Sequence, residues 1–109
     1  MTPETRERVA REVLGWTPEQ WGFSNWLHIL PREWLQDRLD GWPGIGLTVE
    51  AMRAKGYGDS HDHTYGTFDT AAGLKRWTFG NEKLVRSATH EQDDEACALA
   101  ALAALEGER

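Results

Sequence analysis

An alanine-rich run near the end of the chain constrains the fold most. Between residues 89 and 106, apolar side chains fall on one wide side of a helix, and small ones allow close packing against a sheet; they are Ala96, Leu99, Ala100, Leu102, Ala103 and Leu105. Thr89-x-x-Gln92 matches the capping box. The acids at positions 91–95 suit the positive end of a helix dipole. The sequence therefore predicts a helix at residues 90–106.

A hairpin is predicted directly before this helix. Residues 74–79 and 83–88 flank Gly80-Asn81, a dipeptide typical of a two-residue turn. Pairing Phe79 with Glu82 places Trp77 opposite Leu84. Alternation along the strands then directs Trp77, Phe79 and Leu84 toward the core.

Two further elements complete the predicted core. A helix at residues 45–55 carries apolar side chains at helical spacing and ends at Gly56. A strand is predicted at residues 62–68, followed by a turn. The fold class is therefore α+β, with a helix–strand–strand–strand–helix core at 45–106 around a three-stranded antiparallel sheet.

The first 44 residues combine a helix with a tryptophan-rich segment. Thr2 and Pro3 open the helix and Gly15 ends it. A short helix is predicted at residues 31–39, and turns at 40–41 and 43–44. We expect this region to cover the second face of the sheet, giving an αβα sandwich in one domain of 109 residues. Its large aromatics are Trp16, Trp21, Phe23, Trp26, Trp34 and Trp42.

Charge argues against binding to duplex nucleic acid. The net charge is −6, and six carboxylates stand against one arginine in residues 89–109. The element order resembles that of the double-stranded RNA-binding domain, which needs cations at the start of its last helix. Acids occupy that position here, so phosphate is repelled and we predict no duplex binding.

Several classes of protein find little support. Cys97 is the single cysteine, so an intrachain disulfide is excluded, which fits a reducing, cytoplasmic compartment. It lies in an apolar stretch. No run approaches the ~20 apolar residues of a membrane span. No nucleophile elbow, phosphate loop or dinucleotide fingerprint is present, so we predict a non-catalytic protein without a cofactor.

A small set of cations and aromatics forms the candidate binding site. Arg76, Lys83 and Arg86 lie on or beside one sheet, where they either clamp an anion or keep a sheet edge soluble. Tryptophan side chains either fill the core or stack on a planar base. The predicted ligand-binding residues are Trp26, Trp34, Trp42, Arg76, Lys83 and Arg86.

His61-Asp62-His63 has the residue types of a metal site. In a strand the two histidines project to one face, and His90 or a distant acid would have to complete the ligand set. The alternative is a row of exposed polar residues on a loop or edge strand. We predict that no stoichiometric metal site forms, with His61 and His63 as the candidates that test this.

The pattern as a whole resembles the phage ABA (alpha–beta–alpha) sandwich domain family of small phage and prophage proteins. The matching residues are Arg-Glu-Val-Leu-Gly-Trp at 11–16, Glu-Ala-Met-Arg-Ala-Lys-Gly-Tyr at 50–57 and Glu-Ala-Cys-Ala-Leu-Ala-Ala-Leu at 95–102. The stretch 17–41 departs from the family in being longer and richer in tryptophan. The resemblance implies a three-layer fold in the cytoplasm of a bacterial host, and it supplies no catalytic residues.

Three functional hypotheses follow. The first is a phage binding protein that sequesters a small anionic, nucleotide-type immune signal of the host, as part of an anti-defence system. The second is an interaction module that inhibits or binds a host protein. The third is a small metal-dependent enzyme using His61 and His63. A homodimer is predicted, because a pocket at a two-fold interface lets a small chain enclose a ligand.

Overall fold

The computed structural model describes residues 1–16, 31–63 and 74–108. Its elements, in chain order, are helix α1 (Pro3–Arg8), a π-helical segment (Val9–Val13), helices α2 (Pro31–Leu39) and α3 (Gly41–Ala54), strands β1 (Gly58–His63), β2 (Lys75–Gly80) and β3 (Val85–His90), and helix α4 (Asp93–Gly107). The predicted α+β class and three-stranded antiparallel sheet are confirmed.

The sheet has the strand order β1-β2-β3, and the loop that joins β2 to β3 is longer than predicted. Gly80 pairs with Val85 and Trp77 with Ala88, so the predicted partner Leu84 is wrong by four residues. The loop therefore spans residues 81–84. An even shift leaves each residue on its predicted face, and Trp77 is buried as expected, with 4% of its surface exposed.

The side chain of Asn81 explains the longer loop. Its Oδ1 accepts hydrogen bonds from the backbone N–H groups of Lys83 (2.8 Å) and Leu84 (2.9 Å). The Asn81 N–H in turn donates to the Leu84 carbonyl at 2.8 Å. Asparagine thus closes a four-residue turn by mimicking a backbone acceptor, instead of occupying the second position of a two-residue turn.

We expect Asn81→Ala to lower the free energy of unfolding by about 1–2 kcal/mol, because two backbone donors lose their acceptor. Urea denaturation measures the change. Glu82→Ala alters a neighbouring exposed side chain in the same loop and should leave stability nearly unchanged. Equal effects of the two substitutions would contradict the role given to the Asn81 carboxamide.

Two other element boundaries differ from prediction. The first strand lies at Gly58–His63 rather than 62–68, of which residues 64–68 are outside the described part. Helix α3 begins at Gly41, so the turn predicted at residues 43–44 is wrong. Pro43 is tolerated there because the first turn of a helix needs no N–H donor at that position.

Of the two predicted helix caps, one is confirmed and one is wrong. Thr2 caps α1 as predicted, accepting a hydrogen bond from Thr5 N–H at 3.1 Å. The predicted capping box at Thr89 is wrong: Thr89 lies in β3 opposite Arg76, and Gln92 occupies the cap position of α4 without a side-chain bond. Strand β3 continues to His90, so the Thr89 backbone belongs to the sheet and does not cap the helix.

Helix α4 is the middle layer of the molecule. One side packs on β2 and β3, and other sides meet α3, α1 and the π-helical segment. Residues 94–98 are all buried, which is more than one full turn, so this part of α4 has no exposed face. Its alanines allow close approach to the sheet, as the sequence predicted, and also to the helices on the other side.

The described N-terminal elements therefore lie against α4 and on its side of the sheet. This differs from the expectation that they cover the second sheet face. The physical reason is that residues 96–105 of α4 are apolar on all sides. The side turned away from the sheet is therefore also buried, by Val9, Ala10 and Val13, each at most 1% exposed. Residues 17–30, the rest of the tryptophan-rich segment, lie outside the described residues.

Candidate functional site

The face of the sheet turned away from α4, called here the open face, carries exposed polar side chains. Strand alternation places Arg76 and Thr78 of β2 on it, with Val85, Ser87 and Thr89 of β3. The Thr78 and Ser87 hydroxyls are 2.7 Å apart across the strand pair. Val85 has 60% of its surface exposed, which is unusual for a valine in a strand.

The predicted cation cluster is distributed over three places. Arg76 lies on the open face, opposite Thr89. Arg86 pairs with Phe79 on the other face, where its guanidinium lies beside Gly107 at the end of α4 and donates to the Val85 carbonyl at 3.0 Å. Lys83 is exposed in the loop between β2 and β3. The structure thus puts Arg76 and Arg86 on opposite faces of the sheet.

The predicted stacking tryptophans are described only in part. Trp42 is in the first turn of α3 and has 62% of its surface exposed. Trp34 belongs to α2, but its side chain lies outside the described residues, as does the whole of Trp26. A pocket built from these three rings stays a prediction.

The tryptophan of the sheet has a structural role. Trp77 is buried against the core, and its Nε1–H donates to Asp93 Oδ1 at 3.1 Å, which links β2 to the first turn of α4. Its ring is stacked on that of Phe79, with centroids 6.4 Å apart. This confirms the predicted burial of both rings on the face covered by α4.

His61 and His63 occupy register positions opposite Trp77 and Lys75, and their side chains lie outside the described residues. The third candidate, His90, accepts a hydrogen bond from Gln92 N–H at its Nδ1 (3.1 Å). In residues 1–16, 35–59 and 74–108, no group of three His, Cys, Asp or Glu side chains is arranged to hold a metal ion. Metal binding at His61 and His63 therefore stays untested.

A surface cleft of about 410 Å³ lies beside the β2–β3 loop, lined by Gly56, Asn81, Glu82, Lys83 and Glu108. Two carboxylates stand there against one ammonium group, so the local charge disfavours phosphate. Tyr57 lies nearby: burial, and then the carboxylate of Glu108, raise the pKa of its hydroxyl to about 12. The phenol therefore stays neutral and does not serve as a base near neutral pH.

A buried polar cluster, which the sequence did not reveal, joins the start of α4 to the N-terminal segment. Glu95 accepts hydrogen bonds from Thr2 N–H (3.1 Å) and the Thr5 hydroxyl (2.8 Å). Asp94 accepts from Gly41 N–H at 2.9 Å and from the Met1 amino group at 3.2 Å. These bonds tie the N-terminal residues, α1 and the start of α3 to α4, which is an arrangement for stability.

Arg6 and Asp40 extend this cluster. The guanidinium donates from Nε and Nη2 to both carboxylate oxygens, at 2.7 and 2.9 Å. The hydrogen bond to Asp40 outweighs burial and raises the pKa of Arg6. Because Arg6 is 8% exposed, this fork is shielded from solvent and fixes α1 against the junction between α2 and α3.

The single thiol is poorly suited to nucleophilic chemistry. Cys97 is 1% exposed inside α4, and burial, followed by nearby acids such as Asp59, raises the pKa of its thiol. A thiolate is the reactive form, and this environment disfavours it. The expectation that Cys97 is a small core residue is confirmed.

No family model, curated protein or solved structure matches this chain. None of the helices in the described parts of the chain is long and apolar enough to span a membrane. Among the described residues, the clefts are surface features lined mainly by charged side chains, so the open face is the stronger candidate for binding.

Proposed function

We propose that this chain is a non-catalytic interaction module that binds a partner protein through the open face of its sheet. The observation that carries the proposal is the grouping of Arg76, Thr78, Val85, Ser87 and Thr89 on one face, four of them exposed and Thr78 half-buried. A sheet face of this kind is broad and shallow, whereas small ligands are usually held in concave pockets.

The residue types on the open face suit a protein interface. Arginine is enriched at such interfaces, where its planar fork forms directed hydrogen bonds. The hydroxyl groups of Thr78, Ser87 and Thr89 can donate or accept, while Val85 offers an apolar contact. The resemblance to the phage family adds the expectation that the partner is a protein of the bacterial host.

Sequestration of a nucleotide is the second candidate, and one observation favours it. An indole as exposed as that of Trp42 can stack on a base. The separation of Arg76 from Arg86 and the carboxylates around Lys83 count against a shared phosphate clamp. The interaction module is therefore our first choice, and the homodimer expected from the sequence is part of either proposal.

A photo-cross-linking residue at position 78, introduced while the protein is produced in its bacterial host, tests the first proposal. We expect one covalent adduct of defined mass with a host protein. The same residue at position 36, an exposed site on α2, is the matched control and should give none. Adducts formed equally from both positions, or from neither, would refute binding through the open face.

Native mass spectrometry of the same preparation separates the two candidates. A nucleotide-sized mass that co-purifies with the chain, and is lost in Trp42→Ala, supports sequestration. Titration calorimetry against cyclic nucleotides and ADP-ribose derivatives then identifies the ligand class. Recovery of a cleaved nucleotide after heat denaturation would contradict the non-catalytic assignment common to both candidates.

A further inference from the structure

Strand β3 forms an edge of the sheet. Within the described part of the chain it has a neighbour on one side only, β2, with which it forms six consecutive pairs. Val85, Arg86, Ser87 and Thr89 are exposed along it. An edge strand presents backbone N–H and C=O groups that can pair with another strand.

The sequence of strand β3 itself carries few of the features that discourage pairing. Natural edges are protected by proline, by lysine, by bulges or by a covering element. Residues 85–90 contain neither proline nor lysine, and the unbroken register excludes a bulge. The one permanent charge is Arg86, whose guanidinium turns back to the Val85 carbonyl beside Gly107. The open-face side of this edge therefore consists of Val85, Ser87 and Thr89.

The charges at the two ends of the edge are self-complementary. Lys83 precedes Ser87 by four residues and Glu91 follows it by four, and both side chains are exposed. An antiparallel copy centred on Ser87 brings each Lys83 to the partner's Glu91, so opposite charges meet at both ends. A parallel copy would bring like charges together, which is unfavourable.

We propose that two copies of this chain pair antiparallel along β3, about a two-fold axis at Ser87, to form a continuous six-stranded sheet. Val85 then lies opposite the partner's Thr89, a pair of β-branched side chains that suits a sheet surface. Centring on Ala88 would instead oppose Val85 to the partner's Glu91. The proposal deepens the interaction function, since the dimer doubles the area of the open face.

Sedimentation velocity across the micromolar range tests the assembly. We expect a dimer for the natural chain and weakening of the dimer by about tenfold or more for Val85→Lys, which removes the β-branched pair with Thr89 and puts a lysine on each edge strand. Gln36→Lys adds the same charge at an exposed position on α2 and should leave the dimer intact. A monomer at every concentration, or a dimer indifferent to Val85→Lys, would overturn the proposal.

A disulfide tests the register. Directly opposed residues have Cα atoms about 4.5–5.5 Å apart, which a disulfide can bridge. Ser87→Cys should therefore give a covalent dimer on mild oxidation, while the buried Cys97 stays reduced. Thr78→Cys, on the same face but in the central strand, should remain a monomer on a non-reducing denaturing gel. Equal cross-linking of both variants would contradict pairing at Ser87.

The two proposals fail separately. A monomeric chain that still captures a host protein from position 78 overturns the dimer alone. A β3-paired dimer that captures nothing from that position overturns the open-face function alone. An adduct of twice the chain mass shows that position 78 contacts a second copy, which overturns the proposal of a host-protein partner.

Discussion

Replacing Gly44 by alanine should destabilise the protein by more than about 4 kcal/mol, a loss typical of severe steric conflict. Gly44 is buried in α3 where this helix crosses the end of α2. An added Cβ would lie 1.7 Å from the carbonyl oxygen and 2.3 Å from the carbonyl carbon of Leu39. These are backbone atoms, and Leu39 is itself fully buried in the core, so neither can move aside cheaply.

Gly46 supplies the matched control because it lies two residues further along the same helix. A Cβ there would meet nothing within 4 Å. Gly46→Ala should therefore stabilise the protein by about 0.5–1 kcal/mol, the difference in helix propensity between the two residues. Urea denaturation of both variants measures the contrast, and a Gly44→Ala protein as stable as Gly46→Ala would contradict the close packing of α2 on α3.

Local sequence patterns were sufficient to predict structure within a single helix or strand. The alanine run predicted α4, and the alternation in 74–79 predicted that Trp77 and Phe79 face the core. The same alternation already separates Arg76 from Arg86. The predicted register and the observed one differ by an even number of residues, so both put these arginines on opposite faces. That separation was available from the sequence.

Contacts between distant segments could not be predicted in this way. The acids at the start of α4 look like ordinary partners of the helix dipole. Asp94 and Glu95 are buried because Met1, Thr2, Thr5 and Gly41 converge on them, from 53 to 93 residues away in the chain. No local signal distinguishes these two acids from the exposed Glu91.

The hairpin loop shows a competition between two local signals. Gly80-Asn81 is typical of a two-residue turn, but the Asn81 carboxamide also bonds backbone groups two and three residues ahead. Leu84 packs beside Gly107 at the end of α4, and this contact favours the longer loop. The two-residue turn that Gly80-Asn81 predicts is therefore replaced by a longer loop that tertiary packing favours.

Asp94→Asn should lower the free energy of unfolding by about 2–3 kcal/mol at neutral pH, since a buried charged acceptor is lost. The Asp94 carboxylate accepts from Gly41 N–H, the Met1 amino group and Glu95 N–H. Burial alone would raise the pKa of Asp94, but these donors outweigh it and lower the pKa below its ordinary value.

The lowered pKa gives this prediction a pH dependence with a definite sign. A carboxylate whose pKa is lower in the folded chain adds stability above its unfolded pKa of about 4. That contribution is lost as the pH falls through 4 toward the folded-state pKa. The difference in stability between the natural chain and Asp94→Asn should therefore be constant from about pH 5 to about pH 7, which lies above the unfolded-state pKa. In stronger acid the difference should shrink. Glu91→Gln removes an exposed negative charge nearby and should change stability little at any of these pH values. A gap that stays constant into strong acid would show that Asp94 contributes by shape and not by charge.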